Sequence, residues 1–442
     1  MSQGCRLVAR TDVLDTIRTA LEAAAAGPAL VRAWRGLPAA AWTEQPVIVV
    51  AAGKASVAMA DAFARERLAP VQGGVVVKAP GVRTPPSLLS HTWRVFEADH
   101  PLPSQRNLIA AQAVADAARQ ASARRWPLVV LLSGGASAHL TLPSRGLSLA
   151  DLRTVTELML RAGASIGELN AVRKRCEQLK GGGLARTASP APVMAFILSD
   201  VPGDPIDVIA SGPTAEDRGA PEQALESLDR RLGGSKAEAV GRVRAHIAAV
   251  QDRSHLANVR NTIIGSNAMA LGAACRSLAA KGYAIADTRE RVEGEAREQG
   301  AKIADRMLEL SRGAGRPMAV VWGGETTVTV TGSGFGGRNQ EAAIAAAVAI
   351  EGHPGLVLGC LATDGIDGTT PPGRPVQAGA IVDGETAGLA RLRGVELPEV
   401  LRQNDSYRAC AELGLALVLG PTGTNVNDLW IGLVGVAGPQ GK

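Results

Sequence analysis

Residues 322–343, WGGETTVTVTGSGFGGRNQEAA, set six glycines among Glu325, Arg338, Asn339 and Gln340. Glycine lets backbone N–H groups approach an anion closely, and a helix starting directly afterwards adds the positive end of its dipole. An anionic ligand is the expected occupant. The string Gly332-x-Gly334-x-x-Gly337 also fits the dinucleotide fingerprint, which requires a strand before it and a helix after it. Here the expected strand, TTVTVT, alternates polar and apolar residues, and the helix expected over 339–350 opens on Arg338-Asn339-Gln340-Glu341. That opening suits a polar cleft better than the tight helix-on-strand packing of a dinucleotide turn. A hairpin leading into an amphipathic helix would account for the glycines but not for the flanking Glu325 and Arg338.

Other residues with chemical potential fall at expected strand ends. Lys54 follows the apolar run VIVVAA in AAGKAS and precedes a helical segment, so it sits at the carboxyl end of a parallel strand, where open α/β sheets bind ligands. It is not a P-loop lysine, because position 48 is Ile48 rather than glycine. Lysine is scarce beside arginine in this chain, which gives a lysine next to glycine more weight. Ser133, Gly134, Gly135 and Ser137 end the run PLVVLLSGGASAH and can form an anion nest. Asn170, Arg173 and Lys174 share one helix face ahead of the turn Lys180-Gly181-Gly182-Gly183. Asp200, Asp204 and Asp207 bunch in SDVPGDPIDV, either to hold Mg²⁺ with substrate phosphates or as turn formers. Asp364 and Asp367 end a further strand, and Thr422, Asn425, Asn427 and Asp428 line a glycine-containing turn within the expected final strand LALVLGPTGTNVNDLWIGLV. His100 and His139 lie in loops and receive no assignment.

The elements that carry these residues read as α/β throughout. A βαβ rhythm occupies the first half, with helices over 221–251 closing it, and a second rhythm begins at NTIIGSN. Two domains are expected, 1–255 and 256–442. The 46% hydrophobic and 20% charged content is that of a folded chain, and the low aromatic share suits helices packed on sheets. A scattered net charge of +5 argues against nucleic acid and for small anions. Five dispersed cysteines without C-x-x-C spacing argue against a disulfide framework or zinc site. No signal-like opening or membrane-length apolar run is evident, so the expected location is cytoplasmic, away from membranes. The first helix is expected over 11–26, stopped by Gly27-Pro28.

The strings AAGKAS, LLSGGASA, KGGGLA, SDVPGDPIDVIASGPT, GGETTVTVTGSGFGGRNQE, ATDGIDG, NDSY and GPTGTNVNDLWI, in that order, resemble the glycerate 2-kinase family of the MOFRL type, also labelled hydroxypyruvate reductase. The resemblance covers nearly the whole chain. It implies a larger Rossmann-like N-terminal domain with a parallel sheet, a smaller α/β C-terminal (MOFRL) domain, and an active site in the cleft between them. It implies ATP-dependent phosphorylation of D-glycerate at the 2-hydroxyl, giving 2-phosphoglycerate and ADP, with Mg²⁺. The family's active-site lysine and arginine fall on Lys54 and Arg338, and its acidic groups on Asp200 and Glu325. Joined to the residue reading, this makes Ser133, Gly134, Gly135, Ser137, Asn170, Arg173, Lys180, Asp364 and Asn425 the expected substrate and phosphate ligands, and Asp200 and Asp204 the metal ligands.

Three departures lie near the expected acceptor pocket. They are SGGASAH for SGGGSAL, RKRCEQLKGG for RKHLSxIKGG, and the TTPPGRPVQAG loop for a shorter TDAAG segment. They bear on the acceptor, so a kinase for a related hydroxy acid stays open. So do an NAD(P)-dependent hydroxypyruvate reductase and a sugar-acid-binding regulator. The expected partners are small molecules, ATP and glycerate; a homodimer is compatible with the chain.

Overall fold

The structure, a computed structural model, describes residues 3–37, 44–217, 219, 221–249, 255–313 and 315–435. Two compact units divide the chain, Ala26–Ile264 and Met1–Ala25 with Gly265–Lys442.

The first unit is built on strands β1 (Val47–Ala52), β2 (Val71–Lys78), β3 (Trp93–Glu97), β4 (Leu128–Leu132), β5 (Val193–Leu198) and β6 (Val259–Gly265), in the spatial order β3-β2-β1-β4-β5-β6. Strands β1 to β5 pair in parallel. β1, β4 and β5 are uniformly apolar and buried along their whole length, the mark of a parallel sheet covered on both faces. The helix Gln105–Arg124 buries an alanine-rich face that includes Ala110, Ala111, Val114 and Ala118. Such small side chains let a helix lie close to its neighbours.

The second unit holds β7 (Ala284–Val292), β8 (Met318–Gly324), β9 (Leu356–Ala362), β10 (Gly379–Asp383), β11 (Ala416–Leu417) and β12 (Asp428–Val434), in the order β11-β10-β9-β12-β8-β7. Only β7 and β8 pair in parallel; the other pairings are antiparallel. Central β12 is buried throughout and carries Trp430 opposite Trp322 of β8 and Cys360 of β9.

Four features differ from the sequence expectation. The chain passes between units near Ile264 rather than at 255, and its first 25 residues belong with the second unit. The reason is packing. Val13 and Ile17 of the helix Gln3–Ala23 lie against Gly359 of β9, where an added Cβ would come within 2.6 Å of Val13 Cγ1. Lys281 Nζ pairs with Asp12 at 2.8 Å and Asp15 at 3.2 Å, and the Tyr283 hydroxyl donates to Asp12. Secondly, Gly27-Pro28 does not end a helix but lies in the first turn of another, Ala26–Arg35, where the missing proline N–H has no helical partner to lose. Thirdly, TTVTVT is not a strand. β8 ends at Gly324, and the segment is held by side chains instead: Thr329 N and Oγ1 donate to Glu295, and Thr331 N to Asn404 Oδ1. Finally, residues 418–427, expected as part of a final strand, form a loop between β11 and β12.

Candidate active site

The strand order of the first unit reverses between β1 and β4, so the chain leaves their carboxyl ends in opposite directions and opens a crevice there. Lys54 follows β1, and Ser133-Gly134-Gly135 follows β4. The two turns are laced together: Lys54 N donates to Gly134 O at 2.8 Å, Ala55 N to Ser133 Oγ at 2.9 Å and Gly53 N to His139 Nδ1 at 3.2 Å. Gly53 has φ +111°, and a Cβ there would stand 2.4 Å from Ser133 O. The Lys54 side chain is exposed and forms no ion pair among the described residues.

Gly134 and Gly135 show what surrounds it. A Cβ on Gly134 would lie 1.9 Å from Asp200 Oδ2, so only glycine admits the carboxylate at this place. A Cβ on Gly135 would lie 3.6 Å from Lys54 Cγ and 3.4 Å from His100 Cδ2. Lys54, Gly134, Gly135 and Asp200, four expected site residues, are therefore one patch, with His100 as an unassigned fifth member. Partial burial and the charge of Lys54 hold the His100 imidazolium below its ordinary pKa. Burial, and then His100, push His139 down to about 4, so its neutral ring can accept from Gly53 N. Ser133 Oγ is engaged by Ala55 N and Ser137 Oγ by Ser211 Oγ at 2.9 Å, so both hydroxyls brace the loops.

Of the expected helix face, Lys174 is buried against Asp207 at 3.1 Å and Asp217 at 3.9 Å. That ion pair accounts for one member of the aspartate cluster. Arg173 reaches Glu177 at 3.5 Å, and the buried Lys180 donates to the same carboxylate. Burial, and then Arg173, push Lys180 down to about 7 against the pull of Glu177. Arg173 and Glu177 line a cavity of about 350 Å³ with Thr141, Leu152 and Arg153, while Asn170 is half-buried. Asp204, with φ +54°, lines a different cavity of about 620 Å³ with Asp207, Thr214 and Asn261. Among the described residues no group of three or more His, Cys, Asp or Glu is placed to hold a metal ion.

In the second unit the helix Arg338–Ala349 starts at Gly337, and its positive end is already occupied. The Asp367 carboxylate accepts from Asn339 N at 3.0 Å, Gln340 N at 2.8 Å and Asn339 Nδ2 at 3.1 Å. The amides of the glycine turn are used as well. Thr331 N and Gly332 N donate to Asn404 Oδ1 at 2.8 and 2.9 Å, and Gly334 N to Gln403 O at 2.9 Å. A Cβ on Gly332, Gly334 or Gly336 would strike Gln403 O at 2.2 Å, Asp405 Cα at 2.5 Å or Ser406 Oγ at 2.0 Å. These glycines admit the segment Gln403–Tyr407 at backbone distance, and acceptors of the chain itself take the place of the external anion expected there.

Arg338 stands at the edge of this network. Its Nε donates to Asp428 Oδ2 at 2.7 Å, and Nη2 lies 3.5 Å from Glu325 Oε1. Asp428 is sealed, with 3% of its side chain exposed, whereas Glu325 is 53% exposed. Asp428 Oδ1 accepts from Asn339 Nδ2 at 2.9 Å, and Asn339 Oδ1 from Trp430 Nε1 at 2.7 Å. Burial raises Asp428 to about 6 against the opposing pull of Arg338 and Asn339, and the nearby Asp367 adds to the rise. Burial works against the charge of Arg338, but Asp428, Glu325 and Asp367 outweigh it and hold the guanidinium more firmly protonated than usual. Asp364 Oδ1 caps its own turn by accepting Ile366 N at 3.0 Å, and Thr422 Oγ1 donates to Thr363 O, which brings the loop of the half-buried Asn425 against that strand end.

Comparison with known proteins assigns the chain to a family. Residues 12–248 match the domain of unknown function DUF4147, and residues 318–428 match the MOFRL family. The D-glycerate 2-kinase of Thermotoga maritima is 41% identical over 88% of this chain and 90% of its own length. The chain belongs to the glycerate 2-kinase family. The glycerate 2-kinase of Pyrococcus horikoshii is 36% identical over 88% of this chain and 87% of its own. A crystal structure of glycerate kinase from Thermotoga maritima superposes with TM-score 0.87 at 37% identity, covering 97% of this chain and 100% of that one.

In this glycerate 2-kinase family member, residues that sequence reasoning named without a role are those that act through others. His139 seats the Lys54 turn, Asp367 caps the Arg338 helix, and Asp428 with Asn339 grips Arg338 itself. A faint signal existed for Asp428, a carboxylate opening the otherwise apolar run DLWIGLV, where burial demands a partner.

Proposed function

We propose that this chain transfers the γ-phosphoryl group of ATP to the 2-hydroxyl of D-glycerate, releasing 2-phosphoglycerate and ADP. The observation that carries the reading is Lys54, an exposed cation without an ion-pair partner among the described residues, beside Gly134, Gly135 and Asp200, in a chain 41% identical to a protein named D-glycerate 2-kinase. Phosphoryl transfer asks mostly for positioning and neutralisation of charge. Lys54 supplies a mobile positive charge for the transferring group, and the small Gly134-Gly135 turn lets phosphate oxygens come close to the backbone. Arg338 is proposed to engage an anionic group, the phosphoryl or the acceptor carboxylate, through its Nη edge, with Glu325 beside it. Asn170, Arg173, Asp364 and Asn425 are proposed as further substrate contacts, whereas Lys180, sealed against Glu177, braces its own loop.

The donor set suits a divalent cation brought in with the nucleotide rather than one caged by protein. Asp200 and Asp204 offer hard oxygen ligands on one loop, and Gly134 admits the Asp200 carboxylate to the turn after β4. Mg²⁺ bound there would neutralise the phosphates that these carboxylates would otherwise repel. Asp200→Asn is therefore expected to lower turnover and raise the Mg²⁺ requirement.

The deciding assay supplies D-glycerate and Mg·ATP to the purified protein and couples product through enolase without phosphoglycerate mutase. A signal supports transfer to the 2-hydroxyl, whereas 3-phosphoglycerate by phosphorus NMR overturns it. Oxidation of NADH by hydroxypyruvate without ADP release would favour a reductase.

A further inference from the structure

We propose that Asp428 is a positioning residue for Arg338: from its buried seat at the start of β12 it fixes the guanidinium by Nε and so presents the Nη edge to the anionic reactant. The proposal rests on the kinase reading of Arg338 given above and deepens it. An arginine side chain has many rotamers, and holding one costs entropy each time an anion is bound unless the protein has already selected it. Asp428 makes that selection. With Nε engaged at 2.7 Å, Nη1 and Nη2 are the remaining donors, and the carboxylate near Nη2, Glu325, is exposed and 3.5 Å away. One partner of Arg338 is thus an anchor, and the other stands where solvent and ligand can compete.

The anchor is fixed in turn. Trp430 Nε1 can only donate, so Asn339 must direct its Oδ1 to the indole, and its Nδ2 is then committed to the carboxylates of Asp428 and Asp367. Both Asp428 oxygens are consequently held, Oδ1 by Asn339 and Oδ2 by Arg338. The titratable groups around Asp428 are Arg338 and Asp367, Glu325 beyond the guanidinium, and the Cys360 thiol on neighbouring β9; β8 contributes Gly324 opposite it. A carboxylate raised to about 6 keeps its grip on Arg338 at neutral pH and loses it as the pH falls through that value.

The test measures kcat and KM from pH 8 to 5 for the full chain, for Asp428→Asn and for Arg338→Ala. A reacting anion misplaced by an unanchored arginine costs roughly ten- to a hundred-fold in turnover, so Asp428→Asn should lose about that much kcat at pH 8. The ratio of parent to Asp428→Asn rates should then shrink toward one as the pH falls below about 6. Titration of the ATP phosphates is common to both proteins and cancels in the ratio. In an Arg338→Lys background, where the Nε contact no longer exists, Asp428→Asn should add little further loss. Near-normal turnover in Arg338→Ala would overturn the kinase role of Arg338. A crippled Arg338→Ala beside an Asp428→Asn that equals the parent at every pH would overturn the positioning role alone. If Asp428→Asn does not fold, Trp430→Phe serves instead. Losing the indole N–H frees Asn339, removes a hydrogen bond that lowers Asp428, and should move the acid limb of kcat to higher pH; an unmoved limb would overturn the proposal.

Discussion

The Lys54 turn, with Gly53 and the adjoining Gly134-Gly135, and the turn that carries Arg338 both set glycines beside a helix, yet they are finished differently. Around Lys54 the backbone bonds tie two loops to each other, and the cation itself is left without a carboxylate partner among the described residues. Around Arg338 the amides are answered by Asn404 and Asp367, and the cation is answered by Asp428 and Glu325. Glycine serves a positive φ and the close approach of the Asp200 carboxylate at the first turn, and close backbone packing at the second. A glycine-rich string therefore says that something comes close to the backbone, and only the structure says whether that something is a ligand or the protein.

The strongest way to break this comparison is to remove each cation. Deleting one charge that stabilises a transition state costs about 3 to 4 kcal/mol, so Lys54→Ala and Arg338→Ala should each lower kcat by roughly a hundred- to a thousand-fold. Their stabilities should part company. Lys54→Ala should unfold at the same urea concentration as the parent, whereas Arg338→Ala strands the buried Asp428 and should lose about 2 to 4 kcal/mol. Equal stability losses would mean that the two turns are not different in kind.

Asp367→Ala comes next. It uncovers the helix amides of Asn339 and Gln340 in a buried setting, for an expected loss of about 2 to 3 kcal/mol by denaturant titration. Gly134→Ala sharpens the comparison from the other side. The new methyl must displace the Asp200 carboxylate, so turnover should fall about tenfold while the unfolding midpoint barely moves. The smallest effect belongs to His139, whose pKa is held at about 4 in the folded protein against an ordinary 6.5. The unfolded chain then binds the extra proton first, and stability present above pH 6.5 is lost as the pH falls toward 4. Between pH 7 and 5.5 the loss should be about 1 kcal/mol, and it should be absent in His139→Gln.

Much of this architecture was legible in the sequence. The continuous apolar runs of β1, β4 and β5 could hardly be anything but buried parallel strands, and Lys54, Ser133 and Asp200 could be placed at their ends from the punctuation that follows each run. Local rules failed where distant side chains decided the outcome. TTVTVT has the alternation of a strand, but Glu295 and Asn404 supply the acceptors a neighbouring strand would have offered. Gly27-Pro28 is equally good punctuation for ending one helix and for starting the next. The grip of Asp428 on Arg338 spans 90 positions, and no periodicity reports a contact of that kind.

The helix Gln3–Ala23 has a consequence for how the molecule comes into being. It is synthesised before the β1–β6 unit, but Gly359 and the helix Asn267–Ala280 that receive it are made only after that entire unit. Alone in water a helix with so few partners is only marginally stable, and its apolar residues Val13, Ile17 and Ala20 stay uncovered in the meantime. Early folding of the β1–β6 unit would draw the ends of the intervening chain together and reduce the entropy lost when the helix finally docks. A nascent chain halted before residue 265 should thus expose that helix to proteases and chaperones, and synthesis through residue 442 should hide it.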